Sequence, residues 1–199
     1  MKKILFVMAA MLLVFTSCKE DKCQFNKTLE NDYQEVIAQY PNATGQFREA
    51  QLVLTDSLQV ADPKTFDVVN AVEIFQTEED TCGAVIFKVR NAVTDTLYTV
   101  QGMWLGSANM VPSDVKVTLP DALRALQSAD VIIPETNLVT LRIPLNGAVS
   151  LNPLYIFGSN HTSFVCVDGV TGEVFTFDGD ITSGIEEGPT KPCVEEVAE

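Results

Sequence analysis

Side chains able to carry out chemistry are few and widely separated in this sequence. A Ser-His-Asp or Cys-His site would have to use the single histidine, His161, which lies in a polar segment typical of a surface loop. A zinc site would need further histidine and cysteine ligands at close spacing. An EF-hand register starting at Asp178 places Pro189 where the bidentate glutamate belongs, so this acidic stretch indicates solvated chain. These residues predict a protein that is not an enzyme and has no metal or cofactor site.

Cys18 is the residue whose surroundings indicate a definite chemical role. A basic start at Lys2 and Lys3 and a short apolar run predict a secretory signal peptide over residues 1–17, too short to span a membrane. The segment from Phe15 to Cys18 resembles a bacterial lipobox, which implies a diacylglyceryl group on the Cys18 thiol and an acylated amine. Several acyl chains on one residue would anchor the chain to a membrane. The alternative is ordinary signal cleavage, with Cys18 paired elsewhere.

The residues after Cys18 indicate where the anchored protein resides. Lys19, Glu20 and Asp21 resemble the export signal that carries lipoproteins of the Bacteroidetes to the outer cell surface. We therefore expect an outer-membrane lipoprotein displayed at the cell surface, with the periplasmic face of that membrane as the alternative. Residues 18–24 would form a short polar tether between the lipid and the folded protein.

The charge balance excludes one large class of partners. The chain carries 27 acidic and 13 basic residues, and its formal net charge is −14. Removing segment 1–17 with its two lysines would take the charge from −14 to −16. Nucleic acid binding requires a basic face for the phosphates, so we expect no nucleic acid partner.

Four cysteines besides Cys18 remain in the chain, and an oxidising compartment would permit them to form two disulfides. Four cysteines allow three pairings, and the sequence does not select among them. Cys166 has a second interpretation. It lies inside a strand pattern, where it could be a buried free thiol rather than half of a disulfide. The four are Cys23, Cys82, Cys166 and Cys193.

Two amphipathic segments predict helices. Residues Asn31 to Tyr40 place apolar side chains at helical spacing. The second segment has the stronger pattern, because Thr118 and Asp121 have capping-box spacing and Pro120 suits a first helical turn. Its apolar stripe, at positions i, i+3, i+4 and i+7, consists of Leu119, Ala122, Leu123 and Leu126.

Alternating and β-branched runs predict strands after each of the two helices. A helix followed by several strands, twice along the chain, indicates an α+β protein in which each helix packs on an antiparallel sheet. The predicted strands are Glu49–Asp56, Val68–Gln76, Gly83–Val93, Thr96–Leu105, Leu138–Ile143, Leu154–Phe157, Ser163–Asp168 and Glu173–Phe177.

The closing strands resemble the PepSY and PepSY-like domains. In that family a strand bearing a tyrosine, here Tyr155, leads to a strand that ends in an aspartate, here Asp168. A Thr-Gly turn follows, here Thr171 and Gly172, and Glu173 opens the last strand. The turn residues suit this role, because an aspartate accepts backbone N–H groups and a glycine takes positive φ.

The resemblance implies the architecture and the domain limits. Such domains are small α+β units with a helix on a curved antiparallel sheet, similar to cystatins and often present in tandem. We expect a PepSY-like half at 113–178 and a degenerate first copy at 25–112. Residues 179–199 would form an acidic, irregular tail.

The resemblance also implies a function. Members of the family act by binding, and some inhibit or regulate exported enzymes, so we expect a non-catalytic module with a protein or peptide partner. The alternative is an accessory lipoprotein that captures a small molecule or glycan for an outer-membrane complex. The hypothetical contact residues are Trp104, Tyr155, Gly169, Thr171 and Gly172.

Overall fold

The computed structural model describes residues 23–77, 83–145, 150–158, 163–178 and 184–186. In this part of the chain two helices, α1 (Phe25–Gln39) and α2 (Leu119–Ser128), pack on one side of a large antiparallel sheet, which confirms the α+β fold class. The strands are β1 (Phe47–Leu54), β2 (Val68–Gln76), β3 (Ala84–Asn91), β4 (Asp95–Gln101), β5 (Met103–Leu105), β6 (Ser107–Ala108), β7 (Leu138–Pro144), β8 (Leu154–Phe157), β9 (Ser163–Asp168), β10 (Val174–Asp178) and β11 (Gly184–Glu186).

The order of the strands joins the two predicted halves into one sheet. Among the described residues the order is β10-β9-β8-β7-β1-β2-β3-β4, with β6 beside β7 and a separate pair β11-β5. Each helix is therefore followed by a four-strand meander, β1 to β4 after α1 and β7 to β10 after α2. The meanders meet where β1 pairs antiparallel with β7. The origin of 25–112 and 113–178 as a repeat stays a prediction.

The second helix forms as its sequence signals indicate. The Thr118 side chain accepts a hydrogen bond from the Asp121 backbone N–H at 3.3 Å, which satisfies one of the unpaired donors of the first turn. Pro120 occupies that same turn, where its missing N–H costs nothing. The predicted apolar stripe of α2 is entirely buried against the sheet.

The first helix begins earlier than the predicted segment Asn31–Tyr40. It starts at Phe25, because Phe25 and Leu29 extend the buried stripe through Tyr33 and Val36 at spacings of four, four and three residues. The prediction was wrong about the start because no side chain caps this helix, so the sequence carries no local signal there.

A bulge at Arg48 changes which side of the sheet the β1 residues face. Phe47 and Glu49 pair with adjacent rather than alternate residues of β2, which makes Arg48 the extra residue. Phe47 and Ala50 consequently both enter the core beneath the helices, although they are three positions apart. The strand was predicted at Glu49–Asp56, and the observed β1 begins and ends two residues earlier.

One further prediction is corrected by the structure. The single strand predicted at Thr96–Leu105 is divided at Gly102, whose φ of 142° favours glycine and separates β4 from β5. Within the predicted acidic tail at 179–199 the structure describes β11, which pairs with β5, and the irregular character of the tail stays a prediction.

No helix among the described residues is long and apolar enough to cross a membrane. The predicted signal peptide at 1–17, the lipidation site Cys18 and nearly all of the tether lie outside the described residues.

Tyr155 fastens the two helical starts to the sheet. Its hydroxyl donates to the Val117 backbone carbonyl at 2.9 Å and accepts from the Asn26 side-chain amide at 3.0 Å. The Asn26 carbonyl oxygen in turn accepts the Leu119 backbone N–H at 3.0 Å. One buried hydroxyl thus links β8, the first turn of α1 and the segment that enters α2. Burial raises the pKa of Tyr155 far above its usual range, so the hydroxyl stays protonated.

Removal of this hydroxyl tests the link. Tyr155→Phe leaves the Asn26 amide and the Val117 carbonyl without their partner, and we expect a loss of about 1–3 kcal/mol in the free energy of unfolding. The measurement is urea unfolding followed by circular dichroism. Tyr98→Phe is the matched control, because Tyr98 is 45% exposed and its hydroxyl can bond to water. Equal effects of the two substitutions would contradict this role of Tyr155.

Candidate binding surface

The side of the sheet opposite the helices is the candidate functional surface. The registers place one set of side chains on this side from β10 across to β4. Apolar clusters occupy both ends of it, and a polar pair, Glu49 and Arg142, lies between them. The two clusters are Leu154, Ile156, Phe164 and Cys166 at one end and Ile74, Val85, Phe87 and Trp104 at the other.

Trp104 belongs to the interior of the protein rather than to its surface. Its side chain is only 7% exposed and meets the Phe87 ring edge-on, with the ring centroids 6.1 Å apart. Its backbone N–H donates to the Gln76 side-chain oxygen at 3.0 Å, which holds β5 over β2. Trp104 is therefore not placed as the contact residue that the sequence predicted.

Tyr98 is the aromatic residue that faces solvent on this side. Its ring stacks on Phe87, with the centroids 5.1 Å apart and the planes at 14°. Phe87 is buried whereas Tyr98 is 45% exposed, so the buried ring supports an exposed one. Tyrosine held in this way offers a large contact area at small entropic cost.

An open patch extends from Tyr98 across five strands, β4, β3, β2, β1 and β7. Direct cross-strand neighbours form it, such as Gln51 with Val72 and with Thr140. All its members are half-buried or exposed, and none carries a charge. The open patch consists of Gln51, Val53, Asn70, Val72, Val89, Thr96, Tyr98, Leu138 and Thr140.

A buried ion pair borders the open patch. Arg142 Nη1 lies 3.4 Å from Glu49 Oε2, and both side chains are at most 5% exposed. The other Glu49 oxygen accepts from the Gln51 side-chain amide at 2.8 Å, which orients Gln51 within the patch. Glu49 and Arg142 carry opposite charges, and both side chains are buried beside the open patch.

Three predicted contact residues, Gly169, Thr171 and Gly172, belong to the turn between β9 and β10. Gly169 is buried, and a Cβ there would lie 2.9 Å from the Pro153 carbonyl oxygen, so only glycine fits. Gly172 has φ of 77°, as the turn pattern predicted. Thr171 is exposed, and its hydroxyl accepts the Glu173 backbone N–H at 3.2 Å. Tyr155 is fully buried, so the predicted contact residues do not form one surface.

Asp168 organises this turn through its carboxylate. One oxygen accepts the backbone N–H groups of Val170 and Thr171 at 2.8 and 2.9 Å, and the other accepts the Asn152 amide at 2.9 Å. Partial burial opposes ionisation, but these hydrogen bonds outweigh it and lower the pKa of Asp168 below its usual value.

The ionised form of Asp168 should therefore stabilise the fold. Since the pKa of Asp168 is lowered in the folded protein, this stability is present above about pH 4. It is lost as the pH falls through the pKa that Asp168 has in the folded protein. Asp168→Asn turns an amide donor towards Asn152, and we expect a loss of about 1–2 kcal/mol at neutral pH that shrinks in acid. Urea unfolding between pH 2.5 and 7 measures this, with the exposed Asp178→Asn as control. A pH-independent difference would contradict the assignment.

The described cysteines do not form a disulfide with each other. Cys166 is a buried free thiol on β9, as one interpretation of the sequence had it. Burial raises its pKa to about 12, against an opposing effect of Arg142, so it remains an unreactive thiol. Cys23 is buried at the start of α1 in a different cluster. Cys82 and Cys193 lie outside the described residues, so a disulfide between these two stays a prediction.

Other predicted features of chemical interest also lie beyond the structure. His161 is outside the described residues, as is most of the acidic stretch after Asp178. Within the part of the chain that the structure describes, no group of three or more histidine, cysteine, aspartate or glutamate side chains is placed to hold a metal ion.

Sequence signals did not identify the open patch. The alternation within each strand shows that Gln51 and Val53 share one side, but it does not show which strand lies beside them. The pairing of β1 with β7 joins residues about ninety positions apart, and neither strand specifies the other locally.

Comparison of the chain with protein-family models, with curated proteins and with solved structures finds no match. The likeness to PepSY-like domains thus rests on the residues quoted for it.

Proposed function

We propose that this protein is a lipid-anchored, extracytoplasmic and non-catalytic binding module whose open patch contacts an exported or envelope protein. The lipid on Cys18 would hold it at the outer membrane, and the sheet would present the patch to the partner. Regulation or inhibition of an exported enzyme is the role implied by the PepSY-like resemblance.

The observation that carries the proposal is the uncharged character of the open patch. The chain has 27 acidic and 13 basic residues, yet the patch shows solvent only amide, hydroxyl, aliphatic and aromatic groups. Interface cores between proteins are depleted of charge and enriched in aromatic residues, and Tyr98 supplies such an anchor. A surface of this kind on a strongly acidic protein supports a protein partner.

The rigidity of the surface is the second support. Every patch residue lies on a strand that is hydrogen-bonded to at least one neighbour, and the helices brace the sheet from the other side. A preformed surface loses little conformational entropy on binding, so more of the contact energy appears as affinity.

Substitutions in the open patch test the proposal. A protein lacking residues 1–22 would be immobilised and exposed to envelope and secreted fractions, and retained proteins would be identified by mass spectrometry. Gln51→Lys and Tyr98→Ala should each weaken binding of the retained protein at least about tenfold, because they place a charge or remove the anchor at the patch. Titration with the purified partner measures the change.

Matched controls are available elsewhere on the surface. Val93 and Ile132 are 93% and 91% exposed and lie outside the open patch, so Val93→Lys and Ile132→Lys should leave the affinity unchanged. A partner that responds equally to all four substitutions would contradict the patch assignment. Retention of a glycan or small molecule in place of a protein would support the accessory-lipoprotein alternative instead.

The anchor has its own test. Cells producing the full chain would be grown with radioactive palmitate, and we expect label on the protein and its recovery in the membrane fraction. Cys18→Ser should abolish both, because the serine hydroxyl is a far weaker nucleophile than a thiolate. A Cys23→Ala variant is the matched control and should keep the label. Unlabelled wild-type protein would refute the lipidation of Cys18.

A further inference from the structure

A cluster of charged side chains lies between α1 and the first meander, on the helix-covered side of the sheet. None of the proposed binding residues belongs to it. The groups that face one another there come from four elements, and they are Asp32 and Glu35 from α1, Glu73 from β2, Lys88 and Arg90 from β3, and Asp95 from β4.

The outer part of the cluster consists of one lysine that pairs with two solvent-exposed carboxylates. Lys88 Nζ lies 2.8 Å from a Glu35 oxygen and 2.7 Å from an Asp95 oxygen. The two carboxylates are 54% and 63% exposed, so water solvates them in addition to Lys88. Burial opposes the charge on Lys88, but its two hydrogen-bonded partners outweigh this effect and raise its pKa. Lys88 is therefore engaged by these two acids at neutral pH.

The inner part holds two buried acids and one base. Asp32 is 7% exposed and Glu73 is 1% exposed. Arg90 makes a close ion pair with Asp32 through Nη1, while its Nη2 lies 3.5 Å from Glu73 Oε1. Arg90 contacts both acids, and Lys88 lowers their pKa values only as the smaller coulombic effect, so neither buried carboxylate has a base to itself.

A proton on Glu73 resolves this imbalance. Glu73 Oε2 is buried, and no donor among the described residues forms a hydrogen bond to it, so an ionised oxygen there would be unsatisfied. The neighbouring Asp32 carboxylate is an acceptor, and a protonated Glu73 would donate to it. Burial, and then the charge of Asp32, raise the pKa of Glu73 to about 8, with Arg90 opposing. Burial also raises the pKa of Asp32, against the opposing effect of Arg90.

We infer that Asp32 and Glu73 share one proton at neutral pH and form a latch between α1 and the sheet, which loosens when the proton is lost at mildly alkaline pH. In the protonated state the pair carries one negative charge, and Arg90 balances it. In the deprotonated state the second buried charge repels Asp32, and Asp32 is part of α1.

The direction of the pH dependence follows from the raised pKa of Glu73 in the folded protein. The folded protein retains a proton on Glu73 between pH 4.5 and about 8, whereas the unfolded chain has lost it. The free energy of unfolding therefore falls as the pH rises through this window and levels off above it.

Hydrogen exchange of the α1 amides is the decisive measurement. At pH 9 the protection of α1 in the intact protein should be about a hundredfold lower than at pH 6, after normalisation to α2, because between pH 6 and about 8 the closed protein holds a proton that the open state has lost. Glu73→Gln keeps the shape and donates its amide to Asp32 at every pH, so it should abolish this difference. The full pH dependence of α1 in that variant would overturn the inference.

Glu49→Gln is the matched control, because Glu49 is also a buried glutamate among the described residues of this sheet and forms its ion pair with Arg142. It should leave the pH dependence of α1 intact, since it leaves the Asp32–Glu73 pair unchanged. A second measurement does not depend on any variant folding. The carbon-13 signal of the Glu73 carboxyl should titrate near pH 8 in the wild-type protein, and a midpoint near 4.5 would overturn the inference.

Discussion

The pairing of β1 with β7 is the constraint on which the rest of the structure depends. It is the one described ladder between the two long meanders, and it sets a single register for both. On the helix side this register brings Ala50 opposite Leu141 and Leu52 opposite Val139, which closes the core. On the other side the same register aligns Glu49 with Arg142. One pairing thus determines the core, a buried ion pair and the centre of the exposed surface.

The two sides of the sheet solve the problem of buried charge differently. On the open side Glu49 forms an ion pair with Arg142 and accepts a hydrogen bond from the Gln51 amide. Beneath α1 two acids compete for one arginine, and balance there requires a proton. Both arrangements depend on long-range pairing, because the acid and the base come from different elements in each. The two sites therefore differ in composition: one has a single acid beside its arginine, and the other has two acids beside its arginine and needs a proton to balance the charge.

The elements that the sequence predicted well are those with local signals. The bounds of β2, β8 and β9 agree with the predicted strands, and α2 follows its Thr118 cap. The turn at Asp168 also agrees with its prediction, because an aspartate, a threonine and a glycine at those spacings are typical of a tight turn between strands. The start of α1, the bulge at Arg48 and the division at Gly102 were not predicted, since tertiary packing decides all three.

The candidate surface could not be predicted for a related reason. Neighbouring strands supply Gln51, Val72 and Thr140 from distant parts of the chain, and the signals within each strand are equally compatible with other partners. Aromatic residues illustrate the difficulty further. Trp104 is the sole tryptophan and attracts attention in the sequence, yet it is buried against Phe87 while Tyr98 is exposed.

The alternation of side chains along β1, after the bulge at Arg48, limits how the length of this strand can change during evolution. Because side chains alternate between the two sides of a strand, adding or deleting one residue between Glu49 and Val53 would exchange the core set with the patch set downstream. Leu52 would face solvent and Gln51 would enter the core. A change of two residues would keep both sets in place, as would a second bulge that restores the phase. A change of one residue in β1 is therefore tolerated only together with a compensating bulge.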